Sequence, residues 1–197
     1  MWRFMTIARI IASNSHIDYV ARAEENGATS DAGDQTFGQF VAMVFPEEKI
    51  VGIIYDSRLI NPEFAGFGPR LGPRPSLEPF SQNSKGEKGI LLGIILLGTV
   101  FHGGTIEHSI PGRIIPAGQS VEKMKADDVA AFHSLPGGKA KMHYLSSLML
   151  YAGGLGVPLV KAVIAQLDEH CAEEDRQMFK LLESSLEWKH TFSQVPL

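Results

Sequence analysis

The seven histidines are the side chains of this sequence best suited to hold a metal ion or to transfer a proton. They are scattered along the chain at His16, His102, His108, His133, His143, His170 and His190. No two of them have the H-x-x-x-H spacing that places two imidazoles on one face of a helix. His170 stands four residues before Glu174, so the two could lie on one face of a helix. His102 and His108 flank a glycine pair and could approach each other across a hairpin. Either pair could therefore bind one metal ion. An exposed ion pair or simple surface explains the first pair, ordinary histidines at the rim of the barrel explain the second, and we predict no metal site.

Asp56 is the carboxylate whose position best fits a hydrolytic site, because it ends an apolar, strand-like run. Metal-dependent hydrolysis needs several converging carboxylates, and Asp18 and Glu24 are the conceivable partners. No spacing singles out these three acids. Ser57 and Cys171 have no surrounding motif that marks a nucleophile. A metal-dependent hydrolase or nuclease with an acidic site around Asp56 is therefore kept as the alternative interpretation.

The sequence contains no P-loop for binding ATP. Gly138 and Lys139 are followed by Ala140, which has no hydroxyl group for Mg²⁺, and the pattern G-x-x-x-x-G-K-[ST] does not occur. Without this loop there is no backbone cradle for the β- and γ-phosphates. We therefore expect no ATPase activity, no cofactor and no catalytic residue.

Composition restricts the classes of partner. The net charge of −4 and the isoelectric point near 6.0 lack the basic footprint that nucleic-acid binding requires, so direct binding to nucleic acid is not expected. The longest apolar run, Gly89 to Phe101, would span only about 20 Å as a helix, against about 30 Å of hydrocarbon in a membrane. The single cysteine, Cys171, is compatible with a reducing compartment. We expect a soluble cytoplasmic protein without a membrane segment.

The elements that must position these residues are strands followed by helices. Alternating apolar residues, a turn at Asn14 and Ser15, and a second turn at Pro46 to Lys49 predict antiparallel hairpins. The predicted strands cover residues 5–11, 17–23, 38–45, 49–56, 90–101 and 104–110. Gly93 or Gly98 is expected to bend the longest one. From residue 136 the apolar period becomes helical. The sequence therefore predicts an α+β fold, with a small antiparallel β-barrel over residues 1–135 and a helical region over residues 136–197.

A proline- and glycine-rich excursion interrupts the predicted barrel at residues 61–89. It contains five prolines and five glycines, which predict a long loop. Aromatic and arginine side chains supply most of the energy of protein interfaces. We therefore predict that the excursion contributes a partner-binding surface, and the alternative is that its apolar groups pack on their own subunit. The predicted surface consists of Phe64, Phe67, Arg70, Leu71 and Arg74.

Two segments carry a family resemblance. The first has the pattern G-x-x-V followed by V-G-I-I-Y-D, at Gly38, Val41, Val51, Gly52, Ile53, Ile54, Tyr55 and Asp56. The second is a loop bounded by Pro111 and Pro116 and followed by an acidic helix start. Together they resemble the HAS-barrel, the β-barrel that precedes the motor domains of HerA-type DNA-translocating ATPases and of rotary ATP synthase subunits. The resemblance covers roughly residues 5–60 and 90–133.

The resemblance implies a role in assembly. In such families the barrel is not catalytic, but helps to organise a ring of subunits and offers a docking surface. Because the P-loop is missing, the resemblance implies a free-standing barrel without an ATPase domain. The principal expectation is a non-catalytic assembly or adaptor protein. It would self-associate or dock on a protein partner, with a HerA-type ATPase as one candidate.

Overall fold

The computed structural model describes residues 5–24, 35–60, 89–134, 140–168 and 173–193. Seven strands and four α-helices lie within these ranges. The strands are β1 (Thr6–Ser13), β2 (Asp18–Ala23), β3 (Phe40–Val44), β4 (Glu48–Ile60), β5 (Gly89–Phe101), β6 (Ile106–Glu107) and β7 (Ser120–Lys123). The helices are α1 (Ala126–His133), α2 (Leu145–Ala152), α3 (Gly156–Asp168) and α4 (Glu173–Ser193), and a 3₁₀ turn (Gly153–Leu155) joins α2 to α3.

Six of the strands close into a barrel in the order β2-β1-β7-β3-β4-β5, with β2 pairing again with β5. Every pairing is antiparallel. β6 also pairs with β5 but is not one of the six barrel strands. Closure gives each barrel strand a neighbour on both sides, which removes the exposed edges of an open sheet. The predicted α+β fold, a small antiparallel barrel followed by helices, is confirmed. The predicted boundary at residue 135 and most of the excursion lie outside the described residues.

The hairpins form where the alternating pattern predicts them, but the strand expected over residues 104–110 is only two residues long. A Cβ atom placed on Gly98 would lie 2.1 Å from the carbonyl oxygen of Glu107, so the backbone of β6 lies directly against Gly98 of β5. The chain then leaves the sheet at His108, which is buried beneath α1. The pairing of β6 with β5 ends after two residues because the side chain of His108, the next residue, packs against the helices.

Two irregularities bend the pairing of β4 with β5. The register of this pairing shifts twice, once where Gly98 faces β4 and once where Gly93 faces β4. At Gly93 an added Cβ atom would lie 2.9 Å from the Cε1 atom of Tyr55, so a larger residue would collide with the ring. The two glycines that the sequence marked as candidate bends are thus the sites of both β-bulges.

Each central strand has two apolar faces, because successive residues point to opposite sides of a strand. One set of side chains fills the inside of the barrel. It includes Ile7, Ile10, Tyr19, Val41, Met43, Ile50, Ile54, Leu92, Ile94, Leu96 and Val121. We call this set the interior core. It occupies the space in which a wider barrel would hold a ligand.

The other face of β3, β4 and β5 lies under the helices. Its side chains form a second, separate cluster with residues of all four helices, which we call the outer core. The outer core includes Phe40, Val51, Ile53, Ile95, Leu97, Val129, Phe132, Tyr144, Leu148, Val160, Val163, Ile164 and Phe179. The helices therefore form a single layer over one side of the barrel.

One helical stretch in the described part of the chain, Leu145–Asp168, is long and apolar enough to cross a membrane by length and composition alone. In the structure this stretch is not one straight helix. Gly153 has φ +54°, and α3 turns back so that Gly156 contacts Met149 of α2. Its inward side chains belong to the outer core.

The docking of α3 on the barrel depends on Gly38, which precedes β3. Gly38 has φ +81°, and an added Cβ atom would lie 2.7 Å from the Cβ atom of Ala162 in α3. The side-chain amide of Gln166 also donates to the Gly38 carbonyl at 2.8 Å. The helix therefore rests directly on the backbone of the loop.

We predict that Gly38→Ala destabilises the protein more than Gly104→Ala. Gly104 has nearly the same φ, +82°, but open space around its Cα atom. Both substitutions introduce backbone strain, and only Gly38→Ala adds a steric overlap. The expected excess is about 1–3 kcal/mol in the free energy of unfolding, measured by urea denaturation. Equal losses in the two variants would show that α3 does not constrain this loop.

Candidate functional site

The predicted partner-binding residues Phe64, Phe67, Arg70, Leu71 and Arg74 lie outside the described residues, and their role stays a prediction. The same holds for His170 and Cys171. The side chain of His190 is likewise outside the described part, and the described candidates considered below fall into three places: the surface around Asp56, a buried histidine cluster, and one end of the barrel.

The carboxylate of Asp56 is bound by its own neighbours. One oxygen accepts from the backbone amide of Ser57 at 2.9 Å, and the other lies 3.3 Å from Nε of Arg58. Across the described ranges, no three His, Cys, Asp or Glu side chains are grouped closely enough to hold a metal ion. The alternative of a hydrolase around Asp56 therefore stays a prediction from the sequence.

Asp18 and Glu24, the acids considered with Asp56, also have other partners. Glu24 forms an ion pair with Arg9 at 2.7 Å. Asp18 accepts a hydrogen bond from the hydroxyl of Tyr55 at 3.0 Å. Burial, followed by this hydrogen bond to a carboxylate, raises the pKa of Tyr55 to about 12. Asp18 therefore holds the Tyr55 ring over the bulge at Gly93.

The second place is a cluster of rings between the barrel and the helices. His108, which follows β6, is only 8% exposed, whereas His102 is exposed in the preceding turn. The ring of His108 stacks on Phe132 at 4.3 Å between centroids, and its Nε2 donates to the Phe132 carbonyl at 2.8 Å. A carbonyl can only accept, so Nε2 carries the proton and Nδ1 has a lone pair. This Nδ1 atom is buried and has no hydrogen-bond partner.

His133, at the end of α1, is the second buried imidazole. Its Nδ1 donates to the carbonyl of Val129 at 2.7 Å, which leaves Nε2 as an acceptor. The hydroxyl of Tyr144 donates to Nε2 at 2.6 Å. Both side chains are almost completely buried, at 2% and 3% exposure. The pair ties the end of α1 to the residue that precedes α2.

The cluster is uncharged at neutral pH. Burial lowers the pKa of His108 and that of His133 to about 4, and it raises the pKa of Tyr144. Lys141 and His143 also face His108 and oppose a positive charge there. The hydrogen bonds of the two histidines connect elements, since His108 is bound to the Phe132 carbonyl of α1 and His133 to the Tyr144 hydroxyl. The sequence interpretation missed this pairing, because His133 and Tyr144 are joined only by the fold.

The third place is one end of the barrel, which we call the rim. It is formed by the turn at residues 45–47, the turn at residues 102–105 and the loop at residues 109–119. Glu48 begins β4 directly opposite Phe101, which ends β5, so these turns lie at the same end. The loop at residues 109–119, which contains Pro111 and Pro116 and which we call the proline loop, is the largest part of the rim.

The proline loop is fixed to the barrel at several points. Arg113 forms an ion pair with Glu48 and lies over the Phe45 ring, at 4.7 Å from its centroid. The imidazole Nε2 of His16 is 2.7 Å from the carbonyl oxygen of Pro111. The hydroxyl of Tyr19 accepts from the amide of Ile115, whose side chain is buried in the interior core.

The same loop exposes apolar side chains. Ile114 is 73% exposed and Ile110 is 59% exposed, on either side of Arg113 and the buried Pro111. Phe101, at the end of β5 next to the turn at residues 102–105, is 37% exposed. The rim therefore presents apolar groups on a loop that is already held in place. The sequence indicated the proline loop but not its exposed isoleucines.

Comparison with known proteins identifies one family. The family model described as Domain of unknown function (DUF8166) matches residues 2–195, almost the whole chain. No curated protein matches the sequence. The match covers the barrel, the rim and the helical layer together.

We predict that Tyr144→Phe destabilises the protein by about 1–3 kcal/mol, because it leaves the buried Nε2 of His133 without its donor. The pKa of His133 should also rise, since the lost hydrogen bond favours the neutral imidazole. Denaturation and NMR titration of the imidazole measure the two effects.

Tyr151→Phe is the matched control for Tyr144→Phe. Tyr151 lies on α2 and is 40% exposed, so the loss of its hydroxyl should change stability by less than about 0.5 kcal/mol. Similar losses in both variants, or an unchanged pKa of His133 in Tyr144→Phe, would contradict the role of the pair.

Proposed function

We propose that this chain, which belongs to the family described as Domain of unknown function (DUF8166), is a non-catalytic assembly or adaptor protein that acts through its barrel. The observation that supports this most directly is the rim, where a fixed loop exposes Ile110 and Ile114. The resemblance of the barrel segments to the HAS-barrel supports the same role. In that family the barrel organises subunits and does not perform the reaction.

The packing of the barrel favours a role in contacts with other protein chains over a role in catalysis. Apolar side chains occupy the inside of the barrel, and the chain's own helices cover the outer face of β3, β4 and β5. The most exposed apolar side chains on the barrel side include Leu59, Ile110 and Ile114. Of these, the two isoleucines share one loop.

The proline loop has the features of a contact surface that loses little conformational freedom when a partner binds. Pro111 and Pro116 restrict its backbone, and the ion pair between Arg113 and Glu48 fixes its position. Burying a side chain such as Ile114 is worth about 1.5–3 kcal/mol. Because the loop is already ordered, less of this energy is lost on binding than in a flexible segment.

A second copy of this chain is the occupant that we propose for the rim. The rim carries both signs of charge, with Arg113 in the proline loop and the exposed Glu47 in the turn between β3 and β4. A two-fold axis through an apolar centre can place Arg113 of one copy near Glu47 of the other. Such matching fixes the orientation of a contact more than its strength.

We predict that the double substitution Ile110→Ser with Ile114→Ser weakens self-association at least tenfold in Kd, because two apolar contacts are lost. Sedimentation velocity over a range of concentrations measures the effect. The melting temperature should change little, since both side chains are exposed. Leu181→Ser is the matched control, because Leu181 is 71% exposed on α4 and lies outside the rim.

Two outcomes would contradict docking of a second copy at the rim. One is a strict monomer at high concentration, and the other is an equal loss of association in Leu181→Ser. Co-purification with a HerA-type ATPase, lost in the rim variant and retained in Leu181→Ser, would replace the second copy by the ATPase and keep the rim as the docking site.

A further inference from the structure

We infer that α1 and α2 are the acid-releasable part of the helical layer: proton uptake by His108 and His133 detaches these two helices from the outer face of the barrel while the barrel stays folded. Exposure of that face would give the protein a second apolar surface under acid conditions only. The release is independent of docking at the rim, because the cluster and the rim use different contacts.

The separation of the two cores makes a local release possible. The interior core is contained within the barrel, and none of its members belongs to α1, α2, α3 or α4. The histidine rings pack on rings of the outer core, and the rings of His133 and Phe40 lie nearly perpendicular at 5.2 Å between centroids. A charge in the cluster therefore weakens the contact between helices and barrel, and leaves the packing inside the barrel intact.

Protonation of His133 reverses its hydrogen bond with Tyr144. The neutral Nε2 accepts from the Tyr144 hydroxyl, whereas a protonated Nε2 must donate to it. The hydroxyl proton then needs a new acceptor in a site where Tyr144 is 3% exposed. The imidazolium would also lie against the rings of Phe40 and Phe132. Its Nδ1 already donates to Val129, so this bond persists in both states.

Protonation of His108 creates a donor without an acceptor. Its Nδ1 atom is buried and has no partner in the neutral state. The groups that face it are His133 from α1, together with Lys141, His143 and Tyr144 from the segment before α2. None of these four supplies a negative charge at neutral or acid pH. The buried acid of α4, Asp175, is engaged by the Ala140 amide at 3.0 Å.

Proton linkage determines whether acid stabilises or destabilises the closed state, and over which pH range. In the closed state, burial lowers the pKa of both histidines to about 4, against about 6.5 for an exposed imidazole. Between these values the released state binds more protons, so the closed state loses stability as the pH falls from about 6.5 to about 4. At pH 5 the release equilibrium should increase by roughly thirtyfold for each histidine relative to pH 7.5.

Hydrogen exchange of the intact protein, resolved by amide between pH 7.5 and pH 5, tests this directly. After correction for the intrinsic exchange rate, protection of α1 and α2 should fall by at least a hundredfold. Protection of barrel amides such as Ile53 and Ile95 should change by less than about threefold. Equal loss of protection in barrel and helices, or unchanged protection of the helices at pH 5, would overturn the inference.

His108→Gln separates the two histidines. The glutamine amide can still donate to the Phe132 carbonyl but cannot be protonated, so the acid effect should shrink by roughly thirtyfold. His102→Gln, in the exposed turn, is the matched control and should behave as the wild type. An acid effect of the same size in His108→Gln would exclude His108 as a sensor. The wild-type exchange profile decides the inference even if this variant does not fold.

Discussion

Burial of β3, β4 and β5 on both faces is the constraint on which the rest of the structure depends. One face fills the barrel and the other lies under the helices, so the covered stretches of these strands, such as residues 50–54 of β4, must be apolar at nearly every position. The run from Gly89 to Phe101 has this composition, and its glycines stand where β4 or β6 approaches most closely. A strand buried on one face only would show the alternating pattern of β2 instead.

Double burial also explains the state of the histidines. The polar rings between barrel and helices have little water to solvate a charge, so they must be neutral and hydrogen-bonded. His133 meets this requirement at both nitrogens, through Val129 and Tyr144. His108 meets it at one nitrogen only, and its buried Nδ1 has no hydrogen-bond partner. The cluster that ties the helices to the barrel is therefore the part at which we propose that acid acts.

The two ends of the β4–β5 pair carry different connections. The rim lies where β1, β3 and β5 end, and its loop is held by side-chain contacts. The excursion leaves the barrel after Ile60 and returns at Gly89, which is the opposite end of the β4–β5 pair. The two strands thus fix where the excursion begins and ends, whereas its predicted contact residues lie outside the described part of the chain.

Local physics determined most of the secondary structure from the sequence. Period-2 alternation and turn residues marked the two hairpins, the glycines of β5 marked its bulges, and the period of 3.6 marked the later helices. These signals lie within a few residues of one another, so they can be recognised without a fold. The α+β class followed from their order. The missing P-loop was equally visible, because that motif is contiguous.

The tertiary structure alone decided what depends on distant segments. β7 has four residues and inserts between β1 and β3, a position set by pairings more than seventy residues apart in sequence. The closing contact of β2 with β5 is equally remote. His108, His133 and Tyr144 come from separate elements, and their burial depends on which face the helices cover. Side-chain type shows what a residue can do, whereas its partners and its burial are properties of the closed barrel and its cover.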